Sequence, residues 1–177
     1  MTQVTSCTRA TATLANVSYQ ARRKHPRATL RGTVQINVPG TRITGELVTL
    51  SRGGCFVSGI AKQKIGAEYR IYLLISGVAA PVPVTAKVLY NLPAMDGHEA
   101  GAGFSFTKLP EEAEPKIEEA VKRSGELYQR LLFALTDASV GEEGEVERLC
   151  REAGLPEGLT TAELRWRVVQ SVSQFRS

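Results

Sequence analysis

The chain has 177 residues, 42% hydrophobic and 23% charged, which is enough for one domain, or a small domain with an appendage, and is not the composition of a disordered chain. Its three cysteines, Cys7, Cys55 and Cys150, lie far apart with no CxxC pair, which excludes a disulfide framework and a zinc site and predicts reduced thiols in a cytoplasmic protein. The net charge of +4 is unevenly spread: residues 1–40 hold six Lys or Arg and no Asp or Glu, whereas residues 111–177 are net −5, so the front is predicted to attract an anion.

Residues 1–19 are expected to be a flexible N-terminal segment. They lack the basic stretch and apolar core of a secretory leader. Then comes RRKHPR, Arg22 to Arg27, with four basic residues in six. Pro26 disfavours a helix at His25, so this segment should run extended or turn. Three of its cations are arginines. A guanidinium fork matches phosphate oxygens and the O6/N7 edge of guanine, because both accept two parallel hydrogen bonds.

From about Ala28 to Phe106 the hydrophobic period is two, the mark of half-buried strands. Val34, Ile36 and Val38 form one face, and Ile43, Gly45 and Leu47 the next. Tyr69, Ile71, Leu73 and Ile75 follow, then Val82, Val84, Ala86, Val88 and Tyr90, and finally the stretch AGAGFSF, Ala100 to Phe106. Pro39-Gly40, Gly53-Gly54, Lys64-Ile65-Gly66 and Asp96-Gly97 punctuate them as turns. About six short antiparallel strands predict a small closed barrel or a sandwich. The stretch TLSRGGCFVSG, Thr49 to Gly59, reads as an exposed glycine-rich turn rather than core. The most apolar run, Ile71 to Ala86, is cut by Gly77, Pro81 and Pro83 and is too short for a membrane helix, so no membrane insertion is expected.

After Pro110 the period changes. Ile117, Val121, Ser124, Tyr128, Leu131 and Leu135 recur at helical spacing, behind a glutamate-rich start that suits the helix dipole. A second helix is predicted over 142–153, ended by Gly154 and Pro156. Thr160-Thr161-Ala162-Glu163 reads as a capping box opening a last helix through Leu164, Val168 and Val172. Trp166 and Phe175 are expected to anchor that helix in a core. The apolar stripes of these helices, that from Ile117 to Leu135 included, either pack on the barrel or on each other, or join a second copy in a homodimer.

Catalytic groupings are scarce. No acidic partner is placed beside either histidine, His25 or His98, and Thr49 stands where a nucleophile elbow before Ser51 would need glycine. There is no phosphate-binding loop, dinucleotide fingerprint or HExxH. An enzyme is not expected, nor a metal or cofactor. The arm holds Tyr19 as its one aromatic residue, so it lacks a stacking platform for single strands, and nucleic acid is not an expected partner.

Two elements together resemble the PilZ family, receptors for the bacterial second messenger cyclic di-GMP. The first is RxxxR, complete as Arg23-Lys24-His25-Pro26-Arg27, with Arg22 before it. The second is D/N-x-S-x-x-G, present as Thr49-Leu50-Ser51-Arg52-Gly53-Gly54 with Thr49 in place of Asp or Asn. GAGFSF is similar to the family's closing strand. The resemblance implies a six-stranded antiparallel barrel over 20–110, with the N-terminal switch segment included; the change of period adds a helical region over 111–177. It implies cyclic di-GMP as ligand, held by Arg22, Arg23, Arg27, Thr49, Ser51, Gly53 and Gly54. Arg23 and Arg27 would hold guanine edges and phosphates, Ser51 would hydrogen-bond the ligand, and Gly54 would allow close backbone approach. Two functions stay open. One is a receptor that orders its arginine segment on ligand and engages an unidentified protein partner in motility or exopolysaccharide regulation. The other is a PilZ-like adaptor that binds protein and no nucleotide.

Overall fold

The computed structural model describes residues 24–95, 99–136 and 144–176. Arg22, Arg23, Cys7, His98, the Asp96-Gly97 turn and the expected flexible segment 1–19 lie outside the described residues. Among the described residues, six strands close into an antiparallel barrel: β1 Arg27–Val38, β2 Thr41–Ser51, β3 Gly54–Ser58, β4 Glu68–Ile75, β5 Val82–Leu92 and β6 Gly101–Lys108. Three helices follow, α1 Glu114–Thr136, α2 Glu145–Glu152 and α3 Thr161–Arg176. Around the barrel the order is β1-β2-β3-β6-β5-β4, with β4 returning to β1. The alternative of a sandwich is thereby removed.

The alternation read from the sequence is the inward face, except at Tyr90, which a register shift after Val88 turns outward over Gly103. Val34, Ile36, Leu47, Ile71, Leu73, Val84, Ala86 and Val88 fill the barrel. The stretch Thr49 to Gly59 departs from the expectation of an exposed turn. Its Leu50, Cys55 and Val57 are buried in the same core, and just Arg52, Gly53 and Gly59 are exposed. Strand β3 is five residues long with four of them buried, so it has no polar alternation to betray it. Gly54 faces outward, yet a Cβ there would sit against the backbone carbonyl of Phe104 on β6. Its missing side chain is thus explained by the close approach of two strands, with no ligand needed.

Helix α1 belongs to two cores. Ile117, Ala120 and Val121, with Ala113 just before the helix, join the barrel core, while Tyr128 and Leu131 pack with Leu149 of α2 and Leu164, Val168 and Val172 of α3. The stripe that could have served a homodimer is therefore used inside one chain. The capping box of α3 is formed: the Glu163 carboxylate accepts from the Thr160 amide at 2.9 Å and the Thr160 hydroxyl at 2.7 Å, and these bonds lower its pKa. Trp166 corrects the expectation of a core anchor. It is 62% exposed, because Leu164, Val168, Ser171 and Val172 supply the face that α3 buries. Phe175 is half-buried against Gly125 of α1.

Two expected outcomes follow from this packing. Gly54→Ala loses about 1–3 kcal/mol in urea unfolding, since backbone rather than a movable side chain blocks the new methyl, whereas Gly53→Ala, whose Cβ would meet the His25 side chain at 3.3 Å, stays close to wild type. Burial pushes the Cys55 thiol up to about 12, with the Arg27 charge pulling weakly the other way. A thiol whose pKa is raised on folding stabilises the fold below its unfolded pKa and loses that contribution as pH rises through the folded value. The urea midpoint of the wild type should therefore fall more steeply between pH 9 and 12 than that of Cys55→Ala.

Candidate functional site

The site is built where the start of β1 meets the turn between β2 and β3. Arg27 pairs in register with Ser51, Ala28 with Leu50, and Thr29 with Thr49. Side chains alternate across a sheet, so the inward Ala28 and Leu50 put Arg27, Thr29, Thr49 and Ser51 together on the outer face. On the next strand Ser51 pairs with Gly54, and Thr49 with Phe56. The two motif elements, more than twenty residues apart in sequence, are thus neighbours. His25 of the arginine segment also reaches Gly53 of the turn, as the 3.3 Å clearance to its ring shows.

The polar groups there are unevenly satisfied. Ser51 is buried, and its hydroxyl donates to the Gly54 carbonyl at 3.1 Å, which closes the turn and leaves the oxygen able to accept. The Gly53 carbonyl accepts from the Phe106 amide at 3.0 Å and from the Ser105 hydroxyl at 3.4 Å. By contrast, Arg27 Nε and Thr49 Oγ1 are buried with no hydrogen-bond partner among the described residues. Leaving such groups unpaired costs about 1–3 kcal/mol each. A ligand with one acceptor and one donor could satisfy both.

Thr49 has further neighbours that the sequence reading did not find. Its register partner Phe56 stacks on Tyr90 of β5, with centroids 6.3 Å apart and planes inclined by 17°. The pair lies over β6, where Gly101 and Gly103 leave room: side chains there would enter the Phe56 and Tyr90 rings. The glycine alternation Gly101-x-Gly103 was the available signal, since it leaves the outer face of a strand empty. On the other side of Thr49, Thr29 is tied to the helices. Its carbonyl accepts from the Ser124 hydroxyl of α1 at 2.5 Å, and its Oγ1 lies 3.1 Å from the Ser171 hydroxyl of α3.

Arg52, at the tip of the turn, is ion-paired to Glu114 and, at 3.6 Å, to Glu118, both on α1. A cavity of about 450 Å³ adjoins this point, lined by His25, Pro26, Arg52, Lys122 and Phe175 among others. A larger one of about 690 Å³, between Arg31 and the α2–α3 connection, touches neither motif, so the smaller cavity carries the interest here. Among the described residues no group of His, Cys, Asp and Glu is placed to hold a metal, and no helix is long and apolar enough to cross a membrane.

Of the seven residues expected to bind ligand, Arg27, Thr49, Ser51, Gly53 and Gly54 are brought together. Arg22 and Arg23 lie outside the described residues. The structure superposes on the Klebsiella pneumoniae MrkH–c-di-GMP complex with a TM-score of 0.54 at 15% identity, covering 62% of this chain and 55% of that one. It matches apo MrkH at 0.52 and 14%, covering 62% and 53%. It matches the Bacillus subtilis inhibitor of motility MotI/DgrA at 0.50 and 18%, covering 58% and 51%. The chain thus spans about half the length of these proteins, and the likeness is one of fold. No curated protein matches the sequence. The PilZ domain model matches residues 21–123, from the arginine segment through the barrel into α1, and the chain belongs to the PilZ domain family.

Proposed function

We propose that the chain is a cyclic di-GMP receptor that passes the level of the second messenger to a protein partner through its N-terminal arginine segment. The observation that carries this reading is the pair of unpartnered buried atoms, Arg27 Nε and Thr49 Oγ1, on the outer face where RxxxR and the Ser51 turn meet. Arg27 offers the donors that phosphate oxygens and guanine N7 and O6 accept. Thr49 offers one acceptor to the donor edge of guanine, where an Asp or Asn carboxyl or amide oxygen would reach further. The Phe56–Tyr90 pair beside Thr49 offers a flat apolar surface to a base. The solved MrkH complex, similar in fold, contains c-di-GMP, which supports the choice of ligand.

The competing reading, an adaptor that binds no nucleotide, draws on one observation. Thr49 supplies a single short hydroxyl where the family pattern has a carboxylate or amide. Under that reading the output would still be a protein contact, and the exposed Trp166 and Val169 of α3 are candidate surface for it.

Calorimetric titration with cyclic di-GMP separates the two. The receptor reading expects a micromolar or tighter site in the wild type and its loss in Arg27→Ala. Absence of heat at millimolar ligand would leave the adaptor. A second expectation concerns Thr49→Asn: restoring a second polar atom at the guanine edge should tighten binding roughly 5- to 100-fold, the range of one good buried polar contact. An unchanged dissociation constant in that variant would place Thr49 away from the base.

A further inference from the structure

Arg52 occupies the position between Ser51 and Gly53, on a turn whose neighbours are the candidate ligand groups. Its guanidinium is turned toward α1, where it pairs with Glu114 and Glu118. These two glutamates are four residues apart, hence on one face of the first two turns of the helix. The Arg52 side chain is 46% exposed and those of Glu114 and Glu118 are 35% and 54% exposed. Ion pairs this open to water contribute little net stability, so they can be exchanged. The fork that binds a carboxylate in two places binds a phosphate in the same geometry. His25 and Pro26 lie on the same side: a Cβ at Gly53 would meet the His25 ring at 3.3 Å, and both residues share with Arg52 and Glu118 the walls of one cavity.

We propose that Arg52 is a phosphate-binding residue of the nucleotide site, and that Glu114 and Glu118 are internal anions competing with the ligand for it. The inference rests on the receptor reading above. It adds a residue to the site and gives α1 a direct stake in ligand affinity. In the unliganded protein the carboxylates hold the guanidinium on the helix. A ligand phosphate beside the turn takes the fork over, and Glu118 is left beside Lys122, the other cation lining the same cavity. Binding therefore exchanges one ion pair for another and loosens the tie between the turn and the first turns of α1.

The test is calorimetric titration of the full chain with cyclic di-GMP in four proteins: wild type, Arg52→Ala, Glu114→Gln/Glu118→Gln, and the triple variant. Arg52→Ala should weaken binding roughly tenfold or more, the value of a charge-assisted hydrogen bond. The double Gln variant should tighten it several-fold. The triple variant should bind like Arg52→Ala, because the glutamates act through Arg52. Wild-type affinity in Arg52→Ala, while Arg27→Ala abolishes binding, would overturn this inference and leave the receptor reading intact. Tightening by the Gln changes that persists without Arg52 would also overturn it, since the effect would then be general repulsion of an anion. Lack of binding by every variant at millimolar ligand would overturn the receptor reading and this inference with it.

Discussion

The register of β1 is the constraint on which the other features depend. This strand is hydrogen-bonded to β2 on one edge and β4 on the other, so it closes the barrel. Its inward residues Val34 and Ile36 are fully buried, each contributing roughly 1.5–3 kcal/mol by leaving water. A slip of one residue would turn them outward and carry Arg27 and Thr29 into the core. Correct register places Arg27 beside Ser51, Thr29 beside Thr49, and the Thr29 backbone under the Ser124 hydroxyl of α1. The candidate ligand residue Arg27 and the helix anchor Thr29 are thus consecutive outward positions of one strand.

That arrangement sets polar groups with unequal fates next to one another. Ser51 and Gly53 spend their hydrogen bonds on holding the β2–β3 turn against β6. Arg27 and Thr49 keep buried atoms unpaired. Unpaired polar atoms recur where a protein awaits a partner, because the cost of leaving them dry is recovered when the partner arrives. Arg52 represents a third condition: it is ion-paired to carboxylates that are themselves open to water, pairs of little net stability. The site is therefore assembled from a fixed part, an unsatisfied part and an exchangeable part.

Much of the fold was legible because its signals are local. The alternations through Val34, Ile71 and Val84, and the Thr160–Glu163 box, each express one element's own geometry. Strand β3 was hidden because both its faces are covered, which erases the polar alternation and left Cys55 and Val57 looking like part of a turn. Trp166 misled for the opposite reason: a large aromatic suggests a core, but the face of a helix is decided by its neighbours at helical spacing, and those are Leu164, Val168 and Val172. The site was half legible. Arg27, Thr49, Ser51 and the glycines follow from the motif, whereas the Phe56–Tyr90 pair and the Arg52–Glu114 contact are made by chain segments that meet through closure of the barrel and docking of α1.

Helix α1 is shared between two cores, with Ile117 and Val121 in the barrel and Tyr128 and Leu131 among the helices. A rod held at both ends transmits rotation and translation between what it joins, because packed side chains at either end resist independent movement. The sequence boundary near residue 110, where strands give way to helices, is therefore not a packing boundary. Helix α1 is a beam common to both sides of it: its first turns lie beside Arg52, and its later turns pack against α3, the helix that bears the exposed Trp166.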